Sequence, residues 1–298
     1  MFRIADMGEK RTIVAIVGPT GAGKTELGFK IALKSGASIV SCDARQVYRY
    51  MDIGTAKPDE KMRSVIPHYM IDVVAPNERY TAYDYARDGR RIIGGLKKAI
   101  IVGGSGLYLR ALVDGLFSLP KIDSGMRESL SSRSTKELYG VLRGVDKETA
   151  ERLHPNDRVR IMRAVEVYES TGIPISVWRE KREPANFEVE YIGIDIEREK
   201  LYRRIEERVD SMIAHGLVDE VKFLLQRYGE AIVPLSSIGY SEIISYLKGD
   251  IVLTEAVNII KRNTKRYAKR QLTWFRKIEN TVWLPPEKIE EIVNYALL

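Results

Sequence analysis

TIVAIVGPTGAGKTELGFKIALKSG, residues 12–36, decides the fold. It opens on a β-branched apolar run, passes through a glycine-rich turn, and ends with Leu27, Ile31 and Ala32 on one helical face before Gly36. Strand, loop and helix follow in that order, and GPTGAGKT at 18–25 satisfies G-x-x-x-x-G-K-[ST] in full. Such a loop ordinarily holds the phosphates of ATP or GTP. Gly18, Gly21 and Gly23 let main-chain N–H groups converge on phosphate oxygens, with Pro19, Thr20 and Ala22 completing the turn. The helix N-terminus adds roughly half a positive charge and Lys24 a whole one. Thr25 is placed to ligate a magnesium ion bridging the same phosphates.

Further short apolar runs read as buried parallel strands: SIVSC (38–42), HYMIDVV (68–74), AIIVGG (99–104) and YIGIDI (191–196). Helical stretches separate them, so the expected fold is an α/β P-loop core, a parallel sheet flanked by helices on both faces. Residues 121–188 lack a strand pattern and read as a helical insertion domain, leaving 1–120 and 189–298 as the core. After 197 the chain is mostly helical and ends in a long basic helix from about 253 to 277.

A chain of 298 residues that is 44% apolar has ample material for a packed core. No apolar stretch approaches the roughly 20 residues needed to cross a bilayer. No secretory pattern opens the chain, so a cytoplasmic protein without a membrane contact is expected, acting as a monomer. The one cysteine, Cys42, excludes an internal disulfide and a cysteine-rich zinc site. A formal net charge of +7 favours a polyanionic partner. The run KRNTKRYAKRQLTWFRK (261–277) concentrates that charge without a single acid, which points to RNA phosphates as the contacts of Lys265, Arg266, Lys269 and Arg270. Its aromatic residues read as core. Arg158, Arg160 and Arg163 form a weaker basic cluster within the insertion. His154, beside Pro155, reads as a turn or cap element.

A nucleotide-hydrolysing enzyme would follow the loop with an apolar strand ending in Asp. Here AIIVGG ends in Gly103 and Gly104, and the strand that does end in an acid is SIVSC, followed by Asp43. From the residues alone Asp43 is either a general base or a strand-end acid that caps a turn or holds magnesium. Arg208 sits in a charge-rich helix where surface pairing is the default. Two other function classes stay open at this stage: a small-molecule kinase using the loop for ATP, and a non-catalytic RNA-binding protein with a relic loop.

The chain resembles the tRNA dimethylallyltransferases, also called tRNA isopentenyltransferases. The resemblance rests on GPTGAGKT (18–25), SCDARQVYRYMDIGTAKP (41–58), VGGSGLYLRAL (102–112), HPNDRVRIMRAVEVY (154–168), RIEERVDSMIAHGLVDEV (204–221), SIGYSE (237–242) and YAKRQLTWFRK (267–277). It implies transfer of a dimethylallyl group from dimethylallyl diphosphate to the exocyclic amine of the adenosine 3′-adjacent to the tRNA anticodon, with release of diphosphate. The resemblance makes Asp43 the base, sets Thr20 at the reacting centre and gives Arg208 the donor's diphosphate. It implies that Asp43, Ala44, Arg45 and Gln46 touch the target base and its neighbours and that Ser105 lies beside the RNA. Arg127, Arg160, Arg163 and the turn Ile238-Gly239-Tyr240 match regions that contact the anticodon stem-loop. Many relatives read Ala-Ser where this loop has Gly21-Ala22, and threonine where it has Ser105. The zinc finger of the eukaryotic relatives needs more cysteines than this chain holds.

Overall fold

The computed structural model describes residues 11–117, 124–289 and 291. In chain order the first half of the core is β1 (Thr12–Val17), α1 (Lys24–Ser35), β2 (Ser38–Cys42), α2 (Glu60–Val65), β3 (His68–Tyr69), α3 (Ala82–Gly95), β4 (Ala99–Gly103) and α4 (Gly106–Asp114). Five helices follow: α5 (Ser124–Ser132), α6 (Thr135–Val145), α7 (Lys147–Arg152), α8 (Arg158–Thr171) and α9 (Ile175–Glu180). The chain then returns through β5 (Glu188–Ile194), α10 (Arg198–Ala214), α11 (Leu217–Tyr228), α12 (Tyr240–Leu247), α13 (Leu253–Phe275) and β6 (Val282–Leu284). Two compact units result, one running up to Val113 and resuming at Ala185, the other Asp114–Pro184.

The larger unit is built on a six-stranded sheet in the order β3-β2-β4-β1-β5-β6. Every strand pair is parallel, with Ala15 opposite Ile101 on one side and Tyr191 on the other. Alternate side chains of β1 serve opposite faces, as the pleat requires. Ile13, Ala15 and Val17 join a core completed by Tyr85, Leu109 and Leu112 of α3 and α4 and by Leu217, Ile243 and Ile260 of the C-terminal helices. Ile16 joins the other face, where Leu27, Ile31 and Ala32 of α1 meet Leu201 and Ile205 of α10. Burial on both faces explains why these strands read as continuous apolar runs.

The run HYMIDVV yields only the two residues of β3. Met70 and Asp72 take left-handed φ of 64° and 56°, which strands do not accommodate, and the segment ends in an isolated bridge between Tyr48 and Val74. β5 starts earlier than its apolar core, because Glu188 and Val189 already pair with Thr12 and Ile13.

The smaller unit is helical and has its own core of Leu130, Leu138, Leu142, Ile161, Val165 and Ile175. The starts of α6, α7 and α8 are capped by their own sequence. Ser134 Oγ accepts from Glu137 N while the Glu137 carboxylate accepts from Ser134 N, a reciprocal arrangement that satisfies two end amides. Asp146 and Asp157 cap α7 and α8, each accepting a main-chain N–H of the first turn.

Candidate active site

The turn between β1 and α1 is shaped by its glycines. Gly21 and Gly23 adopt φ of 81° and 95°, a region that L side chains avoid, and a Cβ on Gly21 would press to 3.0 Å from Ile205. Gly23 caps α1, so the first main-chain N–H groups of that helix have no partner within it. Lys24 Nζ donates to the Pro19 carbonyl at 2.7 Å, and Arg208 of α10 donates to Thr20 Oγ1 at 3.3 Å. The Ala22 carbonyl accepts from Arg204 at 3.5 Å. Burial, and next the charge of Arg208, push the Lys24 ammonium down to about 7, with Asp43 pulling the other way. Burial also lowers Arg208, again opposed by Asp43. Two cations thus share a small desolvated space, a setting that favours an incoming anion.

Asp43 follows β2 directly. Its Oδ1 accepts from Arg45 N at 2.8 Å and from Gln46 N at 3.3 Å, so one oxygen caps the turn. Oδ2 has no hydrogen bond among the described residues. The end of β4 braces this turn: Ser105 Oγ accepts from Ala44 N at 2.9 Å, and Ser105 N donates to the Cys42 carbonyl at 3.1 Å. Gln46 spends its carboxamide inside the loop, accepting from Ser41 Oγ at 2.8 Å and donating to the carbonyls of Thr55 and Ala56 at 3.3 Å each.

One cavity of about 430 Å³ unites these parts. Its walls come from Thr20, Lys24 and Thr25 of the loop, the turn 43–46, Ser105, Arg208, the turn 238–240 and Arg270. Gly103 and Gly104 line it as well. Gly104, just after β4, leaves room for a side chain from α13: a Cβ there would stand 2.4 Å from Gln271 Nε2.

Tyr240 is 1% exposed, and its hydroxyl donates to Glu220 Oε1 at 2.7 Å, so it forms a wall and offers no free hydroxyl. The same Glu220 carboxylate accepts from the amides of Asp52, Ile53 and Gly54 at 2.9, 2.6 and 3.1 Å, fixing the far side of the 43–58 segment. Glu220 carries no local sequence signal, since its partners among those amides lie more than a hundred residues away.

The acid-free run on α13 is not free of acidic partners. Lys261 pairs with Asp210 at 2.7 Å and Lys265 with Glu206, both on α10. Lys265 therefore has an acidic partner that its own stretch of sequence does not show. Arg262, Arg266 and Lys269 remain exposed with no ion pair among the described residues, and they share one helical stripe with Arg270. Of the run's aromatic residues, Phe275 is buried and Trp274 packs over Gly106, whereas Tyr267 is partly buried on the cavity wall. Burial first, and then Asp43, push the Tyr267 hydroxyl up to about 12.

Arg127, Arg160 and Arg163 belong to the helical unit, and none lines the cavity. Arg160 pairs with Asp157 at 3.1 Å and Arg163 with Glu166 at 2.6 Å. Arg158 is structural, donating to the carbonyls of Ser131 and Arg133 at 2.7 and 2.8 Å. His154 Nδ1 accepts from Asn156 N at 3.2 Å, as a turn element does.

Among the described residues no three His, Cys, Asp or Glu come together to hold a metal ion. No helix among them is long and apolar enough to cross a membrane.

A glycine-rich loop on an all-parallel sheet, with Lys24, Arg208 and Asp43 around one cavity, defines an α/β protein of P-loop-like fold. The family model described as IPP transferase matches residues 46–278. A tRNA dimethylallyltransferase of Citrifermentans bemidjiense is 46% identical, the alignment covering 98% of each chain. Another from Desulforudis audaxviator is 46% identical over 93% of this chain and 92% of its own. Among solved structures, the full-length tRNA isopentenylpyrophosphate transferase of Bacillus halodurans superposes with a TM-score of 0.71 at 36% identity, covering 96% of this chain and 95% of that one. A eukaryotic dimethylallyltransferase acting on tRNA gives a TM-score of 0.80 at 26% identity over 92% of this chain and 74% of its own. The chain belongs to the tRNA dimethylallyltransferase family of IPP transferases.

Proposed function

We infer that the protein is a prenyltransferase that moves a dimethylallyl group from dimethylallyl diphosphate to the exocyclic amine of the adenosine 3′-adjacent to the tRNA anticodon. The observation that carries this reading is the meeting, in one cavity, of an anion seat (Lys24, Arg208 and the loop amides) with an acid-bearing turn at 43–46. The named relatives favour it over a small-molecule kinase and over a relic loop on an RNA-binding protein.

An allylic carbon leaves its diphosphate with cationic character, so the barrier falls when charge growing on the leaving group is stabilised. Lys24, Arg208 and the N-terminal amides of α1 serve that charge. Arg208 also orients the Thr20 hydroxyl at the reacting centre. The adenine amine is a weak nucleophile, because its lone pair is delocalised into the ring. Its proton becomes acidic only as the new C–N bond forms, and Asp43 Oδ2 accepts it while Oδ1 keeps the turn in place. Thr25 supplies a hard oxygen ligand suited to magnesium. Thr25 would be the residue of this chain that holds such an ion, and the ion would supply neutralisation of the leaving group.

Ala44, Arg45, Gln46 and Ser105 form the wall that meets the target base, and the stripe Arg262, Arg266, Lys269 and Arg270 meets RNA phosphates. Arg127, Arg160 and Arg163 give the helical unit a basic surface for the anticodon stem-loop. The enzyme is expected to act as a monomer. Incubation with dimethylallyl diphosphate, magnesium and unmodified tRNA, followed by mass analysis of the nucleosides, yields prenylated adenosine. Its absence, with phosphate transferred to a metabolite, would establish the kinase reading instead.

Neutralising Arg266 together with Lys269 weakens tRNA binding and lowers the slope of log affinity against log salt by about one ion for each phosphate no longer engaged. Donor affinity stays unchanged. Filter binding over a salt series measures the slope, and one equal to wild type makes the stripe a solvated face.

Diphosphate binding also depends on pH. With its ammonium near 7, Lys24 is neutral at higher pH and takes up a proton when an anion arrives. Affinity for pyrophosphate therefore falls as pH rises above about 7, by up to about tenfold per unit. Titration calorimetry in buffers of different ionisation enthalpy registers the proton uptake, and binding without it contradicts the assignment.

A further inference from the structure

Glu220 stands in the first turn of α11 and does not line the cavity. Both of its carboxylate oxygens are nevertheless committed to residues that do, or to their neighbours. Oε2 accepts from Asp52 N at 2.9 Å and from Ile53 N at 2.6 Å, while Oε1 accepts from Gly54 N at 3.1 Å and from the Tyr240 hydroxyl at 2.7 Å. The groups bonded to it are all donors, a set that only an ionised carboxylate satisfies with both oxygens. They come from two walls of the cavity, Gly54, Thr55 and Ala56 on one side and the turn 238–240 on the other. These walls meet closely: a Cβ on Gly54 would fall 2.6 Å from the Tyr240 ring.

From the first of these walls the hydrogen bonds run on to Asp43. The carbonyls of Thr55 and Ala56 accept from Gln46 Nε2 at 3.3 Å each, and Gln46 N donates to Asp43 Oδ1 at 3.3 Å. We propose that Glu220 is a positioning residue for prenyl transfer, acting through the 52–56 segment and Gln46 to set the direction of the Asp43 carboxylate. This deepens the reading of Asp43 as the general base and rests on it. Without the Glu220 carboxylate the amides of 52–54 lose their acceptor, the Thr55 and Ala56 carbonyls are free to shift, and the turn 43–46 loses its brace on the Gln46 side. Other ties keep the segment attached. Lys57, whose side chain is 2% exposed, pairs with Asp52 and Asp72 at 2.6 Å each and donates to the Tyr48 carbonyl at 2.7 Å. Ser105 Oγ still accepts from Ala44 N. The expected defect is therefore one of aim and not of folding, and a misplacement of about 1 Å at a reacting group can cost about a hundredfold in rate.

The test is a double-mutant cycle in single-turnover transfer, with the full chain at saturating concentration, dimethylallyl diphosphate, magnesium and unmodified tRNA. Glu220→Gln, which sets an amide N–H group against donors, lowers the rate by about ten- to a hundredfold and leaves donor affinity within a few-fold. In the Asp43→Asn background the same substitution lowers the rate by no more than about twofold, because the group it aims is already gone. A carboxylate that served the fold alone would cost the same factor in both backgrounds. That result overturns the proposal, and so does a Glu220→Gln enzyme with the wild-type rate. Glu220→Asp keeps the charge but falls one methylene short of its donors. Should Glu220→Gln fail to fold, this milder variant decides, with a smaller loss that again vanishes in the Asp43→Asn background. The two readings fail differently: Asp43→Asn at the wild-type rate removes the base and with it anything to aim, whereas a slow Asp43→Asn enzyme with an equal Glu220→Gln cost in both backgrounds removes only the role of Glu220.

Discussion

Asp43→Asn lowers single-turnover prenyl transfer by roughly a hundred- to ten-thousand-fold, the usual worth of a positioned general base, and leaves affinity for the anticodon stem-loop nearly unchanged. The substitution is chosen for what it preserves. Asn keeps an oxygen that can accept from Arg45 N and Gln46 N, so the turn closed by Oδ1 at 2.8 and 3.3 Å survives. It loses only the capacity to take the amine's proton, which matters as the C–N bond forms and scarcely before. Single-turnover transfer at saturating enzyme isolates that step. A variant that kept most of the wild-type rate would make Asp43 a cap alone and send the proton to the departing diphosphate.

Lys24→Met is expected to weaken pyrophosphate and donor binding by roughly a hundredfold or more, the cost of removing one partner from a desolvated charge pair. Its effect on stability runs the other way. The Lys24 ammonium sits near 7 in the folded protein, against 10.5 for an ordinary lysine. A cation depressed in this way opposes folding at every pH where the unfolded chain is protonated, and that cost is full below pH 7 and gone above the unfolded value. Methionine, of similar length and without the charge, should therefore leave the melting temperature in acidic buffer equal to or above that of wild type. A variant that bound donor normally would remove the loop from the mechanism. One that bound poorly and also melted far lower would point to a structural lysine.

The parts of the fold that were legible in the sequence are those whose cause is local. The loop at 18–25 was readable because its glycines answer to backbone angles set within the turn itself. The central strands were readable because burial on both faces leaves nothing but apolar residues in them. β6 escaped notice: Val282–Leu284 is three partly exposed residues long, and its pairing with Ile192–Ile194 is a tertiary matter.

The site divides in the same way. Asp43 was visible as the acid at a strand end, but its division into a capping and an uncommitted oxygen was not. Arg208 looked like one more solvated charge of α10 until the fold set it against Thr20. The pairing of Lys261 and Lys265 was hidden because Asp210 and Glu206 lie 51 and 59 positions away. Gln271 and Glu220 were silent for the same reason, being ordinary residues locally whose partners are supplied by distant segments.

That distance has a consequence for the order in which the enzyme comes into being. A chain emerging from the ribosome with residues up to 250 already possesses five of the six strands and the entire phosphate loop. It still lacks α13, and with it Tyr267, Arg270 and Gln271, which close the cavity and tie down Thr20. Contacts spanning so much of the chain form late, after most of the loop-closure entropy has been spent. The cavity is therefore closed only when the last long helix docks, the same helix whose Ile260 and Phe275 cover one face of the sheet.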